Sequence, residues 1–124
     1  MATVEFELKD GVMVGDKQEK LVVLRELTAG EIIECGQESE KVAMSPSGPV
    51  LVQSPVLMGL HTLCKQIKSI GSLPGPVEPM ILEKLSESDF ALLQIKAAEF
   101  SQTIMKRVEE LAERGRPAGD GDTD

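Results

Sequence analysis

The stretch Ser54 to Gln94, SPVLMGLHTLCKQIKSIGSLPGPVEPMILEKLSESDFALLQ, constrains the fold more than any other part of the chain. Two helical signals flank a rigid Gly/Pro break within it. Ser54 followed by Pro55 reads as an N-cap with proline at the first helical position, where its missing N–H costs nothing. Val56, Leu60, Leu63, Ile67 and Ile70 recur at steps of 4, 3, 4 and 3, the spacing of one helical stripe. Gly71 and the run Leu73-Pro74-Gly75-Pro76 should stop that helix, and a short one is expected from Glu78 to Leu85. Ser86, with Asp89 three positions on, resembles a capping box with a shorter acid than the usual Glu. Phe90, Leu93, Ala97, Phe100, Ile104, Val108 and Leu111 then mark the longest helix, which Gly115 and Pro117 end.

Upstream, Val4, Phe6 and Leu8 alternate with Glu5 and Glu7, the pattern of a half-buried strand. Asp10-Gly11 and Gly15-Asp16 are turn signals, and Leu21 to Leu24 is a second strand-like run. Thr28-Ala29-Gly30-Glu31 fits a capping box that opens a helix through Ile32, Ile33 and Cys35. Ser45-Pro46-Ser47-Gly48-Pro49 reads as loop. The expectation is an α+β fold: an N-terminal β-hairpin or small antiparallel sheet, followed by three or four packed helices. It forms one domain over residues 1–114, with a disordered acidic tail over residues 115–124.

Aromatic residues are 2% of the chain, so the core must be aliphatic, and the stacking platforms of nucleic-acid binders are missing. The formal charge of −8 argues the same way. Lys65 and Lys68, the only charged residues of 54–77, could form a basic patch, although two lysines more often mark a solvated face. No window approaches the roughly 18–20 apolar residues that span a bilayer. The N-terminus lacks a signal-peptide pattern, and Cys35 and Cys64 read as reduced thiols, so a cytoplasmic protein is expected.

No constellation suggests catalysis. His61 and Cys64 share a helical face, but a third member is missing, and a zinc site would need about four ligands. Phosphate-loop and EF-hand patterns are absent from the sequence. The expectation is a non-enzyme without cofactor or metal. Leu57 and Met58 lie off the helix-two stripe, and Met105 lies off the long-helix stripe. These three residues are the candidates for contact with a partner; the alternative is that they widen the core face.

Three pieces occur in a telling order: LRELTAGEIIE from Leu24, SPVLMGLHTLCKQIKSIGSL from Ser54, and LSESDFALLQ from Leu85. Together they resemble the Mu-like phage tail assembly chaperones. In that family a strand leads into an "LR-x-LT-x-G-(D/E)" helix start, a central helix ends in "I-x-SIG-x-L", and an "LS-x-x-D-x-x-LL" helix follows. The resemblance implies a small protein of the bacterial cytoplasm that holds the tape-measure protein soluble until the tail tube polymerises around it. It supplies no catalytic residues. Self-association is a second partner expectation. A structural tail or baseplate-associated subunit kept in the virion is the alternative function, with a non-phage adaptor as a third.

Overall fold

The computed structural model describes residues 1–115; of the tail expected over 115–124, residues 116–124 lie outside them. The fold is α+β. Strands β1 (Thr3–Val14), β2 (Lys17–Arg25), β5 (Ile67–Ile70) and β6 (Leu73–Pro74) form an antiparallel sheet in the order β1-β2-β5-β6. A separate two-stranded sheet pairs β3 (Glu40–Ser45) with β4 (Gly48–Gln53). The helices are α1 (Ala29–Glu38), α2 (Pro55–Gln66), α3 (Pro79–Glu83) and α4 (Glu87–Arg114).

The main sheet presents Leu8, Val12, Val22, Leu24, Ile67 and Ile70 to the core. Leu93, Ala97 and Phe100 of α4 pack into the same cluster; their steps of 4 and 3 put them on one helical face. Burying each Leu or Phe side chain contributes about 1.5–3 kcal/mol. The 28 residues of α4 run about 42 Å. Its last three turns outrun the body, so Val108 and Leu111, expected on the stripe, are exposed.

Two elements differ from the sequence expectation. The second helix ends at Gln66, and Ile67 to Ile70 is strand β5. Ile67 pairs with Leu24 and Ile70 with Val22, and a bulge between these pairs lets residues three apart face the same side. Bulged-strand spacing thus imitates helical spacing. The second difference is the β3–β4 hairpin, which turns at Pro46-Ser47 within a stretch expected to be loop.

The joint between β2 and α1 follows the capping-box expectation. The Glu31 N–H donates to Thr28 Oγ1 at 3.2 Å, and the Thr28 N–H returns to Glu31 Oε1 at 2.9 Å. Arg25 adds a forked pair to the same carboxylate, with Nη1–Oε1 at 2.9 Å and Nη2–Oε2 at 2.6 Å. These contacts, led by the Arg25 hydrogen bonds, lower the Glu31 pKa from 4.5 to about 2.

The start of α4 departs from its expected cap. Ser86 Oγ accepts the Asp89 N–H at 3.1 Å, but the Asp89 carboxylate does not take the Ser86 backbone N–H that a capping box requires. It is buried and accepts the backbone N–H groups of Lys9 (2.7 Å), Asp10 (3.0 Å) and Gly11 (2.9 Å). Those donors belong to the stretch of β1 where the register with β2 slips. Gly11 has a φ of +75°, and a Cβ there would collide with the Glu19 carbonyl, so glycine is required. The Asp10-Gly11 turn signal therefore marks a bulge inside one long strand.

Candidate partner-binding groove

An α2 that ends at Gln66 has two working faces. Leu57, Cys64, His61 and Lys65 fall on one side of the helix, toward the core and α1. Lys65 Nζ stands 3.5 Å from Glu34 and 3.6 Å from Glu38, and His61 Nδ1 is 3.7 Å from Glu38. Lys65 thus ties α2 to α1 instead of contributing to a basic patch. Val56, Gly59, Leu60 and Leu63 occupy the other face, at the 3–4 spacing that keeps them in line.

That second face lines an open apolar groove. One part, of about 440 Å³, lies between Val56, Gly59, Leu60 and Leu63 of α2 and Phe90 and Gln94 of α4. It adjoins a second part of about 350 Å³, bounded by Leu60, Leu82, Leu85 and Phe90, with Glu83 and Glu87 at the edge. Leu60 and Phe90 are shared by both. Val56 is 80% exposed, and a Cβ placed on Gly59 would meet nothing within 4 Å. Leu60 and Leu63 of the expected stripe pack against the core and also line this opening, whereas Val56, at its start, is left exposed.

The structure does not bring the three sequence candidates together. Leu57 is half-buried, and its N–H is capped by Ser54 Oγ at 3.3 Å. Met58 is half-buried against the end of α1, with Sδ 3.8 Å from Ser39 Oγ. Met105 is 56% exposed on the far half of α4, about 22 Å along the helix from Phe90. There it joins the exposed Val108 and Leu111 in an apolar band, since positions 105, 108 and 111 fall within one side of a helix.

Sequence reasoning missed the groove because an apolar stripe looks the same whether covered or open. Gly59, a residue without a side chain in the middle of that stripe, was the available signal. The Cys64 thiol is buried, and burial pushes its pKa up to about 11, far from a thiolate at neutral pH. Among the described residues no group of three or more His, Cys, Asp or Glu is placed to hold a metal ion. No helix among them is long and apolar enough to cross a membrane.

These features define a class: a small α+β domain with a helix-lined apolar groove open to water. The sequence pattern of the tail assembly protein gp41 family matches residues 8–116. The chain is 41% identical over 117 residues to the probable tail assembly protein gp41 of Escherichia phage Mu, covering 91% of this chain and 80% of that one. It is 42% identical over 103 residues to the probable tail assembly protein FS-gp41 of the same phage, covering 80% of this chain and 55% of that longer one. Against the Mu-like prophage FluMu protein gp41 of Haemophilus influenzae, identity is 32% over 114 residues, covering 91% of this chain and 87% of that one. No solved structure gives a significant match. The chain belongs to the Mu-like phage gp41 tail assembly protein family.

Proposed function

We propose that this protein is a tail assembly chaperone that seats an apolar helical segment of the tape-measure protein in the α2–α3–α4 groove. It holds that chain soluble in the host cytoplasm until the tail tube polymerises. Membership of the gp41 family supports the tail assembly role. The observation that carries the finer reading is an open groove in which the exposed Val56 and the half-buried Leu60 and Leu63 of α2 line one side and Phe90 the other. An amphipathic helix docks in such a groove through anchors at i, i+3, i+4 and i+7. A long helical client exposes stripes of that spacing and self-associates unless they are covered.

Glu83 and Glu87 at the groove edge favour a client segment whose apolar stripe is flanked by Lys or Arg. The chain's net charge of −8 would keep the complex dispersed. The action is binding without covalent chemistry, in keeping with a Cys64 thiol that burial holds protonated.

Co-expression of the tape-measure protein with wild type and with Gly59→Glu tests this assignment. The glutamate side chain would enter the groove from an exposed position, leaving the fold unstrained. The expected result is a folded variant, by circular dichroism, with the client moved to the insoluble fraction. A folded Gly59→Glu that solubilises the client as well as wild type would refute the groove assignment.

A further inference from the structure

The β3–β4 hairpin stands as its own sheet, and no third strand among the described residues pairs with either edge. An isolated two-stranded hairpin is marginally stable in water. One face carries Val42, Met44 and Leu51, exposed by 69%, 79% and 66%. Residues 42–64 contain no Asp, Glu, Lys or Arg, although the chain carries −8 overall.

The two edges are unlike. Ser54 N–H donates to the Ser39 carbonyl at 2.9 Å, which makes the 39/54 position a hydrogen-bonded pair. Antiparallel alternation then turns the peptide groups of Lys41, Ala43 and Ser45 toward β4, and those of Glu40, Val42 and Met44 outward. On β4 the outward positions are Pro49, Leu51 and Gln53. Pro49 has no N–H to offer, so that edge is interrupted, as protected edges commonly are. The β3 edge keeps all its donors and acceptors.

We propose that β3 pairs antiparallel with β3 of a second copy, giving a four-stranded sheet with a two-fold axis at Val42. Only three registers keep more than one pair of outward-facing β3 residues opposed. Centring on Lys41 sets two lysines directly opposite each other. Centring on Ala43 runs Glu40 against the partner's Pro46, which lacks a donor. Centring on Val42 sets Glu40 against the partner's Met44 and Lys41 against the partner's Ala43, with no like charges opposed. The uncharged segment that follows lets two acidic chains approach here, whereas elsewhere they repel. This self-pairing is independent of the groove and of its client.

The test is light-scattering mass measurement on the full chain, with variants at Val42. Wild type should show twice the 13.4 kDa chain mass. Val42→Pro removes an outward donor without breaking the hairpin ladder and should give a monomer of unchanged circular dichroism. Val42→Lys keeps the donor but opposes two ammonium groups, and should also be monomeric should the proline variant misfold. Val42→Cys should cross-link under mild oxidation, because hydrogen-bonded partners sit about 5.5 Å apart between Cα atoms, while Ser47→Cys on the turn should not. Cys35 and Cys64 are buried and do not compete. A monomeric wild type at high micromolar concentration, a folded Val42 variant that still dimerises, or equal cross-linking at 42 and 47 would overturn the proposal. Pairing of β3 with a strand of a different protein, in place of a second copy, would do the same.

Discussion

Asp89 joins the first strand to the last helix, seventy-eight to eighty residues apart along the chain. Burial pushes its carboxyl pKa up, but the N–H groups of Gly11, Lys9 and Asp10, with help from Ser86, hold it below the ordinary value. Asp89→Asn replaces an acceptor oxygen with a donor facing these N–H groups and should cost about 2–4 kcal/mol, read as a lower urea midpoint. Glu31 acts similarly at the β2–α1 joint. Its folded-state pKa lies below its unfolded value, so its contribution is complete above about pH 4.5 and is lost as pH falls toward about 2. The expected outcome is that Glu31→Gln is less stable than wild type at neutral pH and that the gap closes on acidification. Urea midpoints taken along that pH series check it. Glu31 was legible in the sequence because a capping box is local. The ligands of Asp89 were not, because nothing near position 89 points to position 9.

At the scale of elements, the sequence reads well where a pattern belongs to one element alone. The alternation from Val4 to Leu8, the Ser54-Pro55 helix start and the buried part of the long helix all appear where the residues place them. It reads poorly where a neighbouring chain segment decides. Ile67 and Ile70 fit a helix as well as a bulged strand, and only pairing with Val22 and Leu24 selects the strand. The run Val50-Leu51-Val52 lacks alternation because neither face of its hairpin is covered by the body. The groove face of α2 gives a stability prediction of its own. Gly59 costs α2 backbone entropy, and its Cβ position is empty, so Gly59→Ala should raise stability by about 0.5–1 kcal/mol. Thermal unfolding measures this gain. Any loss of stability would mean that the groove floor is more closely packed than the geometry shows.

The described residues combine a closed, mainly aliphatic core with apolar surfaces left open, among them the α2–α3–α4 groove, the β3–β4 hairpin and the outer band of α4. The net charge of −8 opposes non-specific association through such surfaces. We assign the groove to the client and the hairpin to a second copy. Methyl NMR of the full chain, titrated with an apolar helical segment of the tape-measure protein, separates these roles in one measurement. Saturable shifts at Val56, Leu60, Leu63, Leu82 and Leu85, with Val42, Val50 and Val52 unmoved, are the predicted result. Shifts confined to the hairpin or to Ile104, Val108 and Leu111, or no shift at a saturating segment concentration, would contradict it.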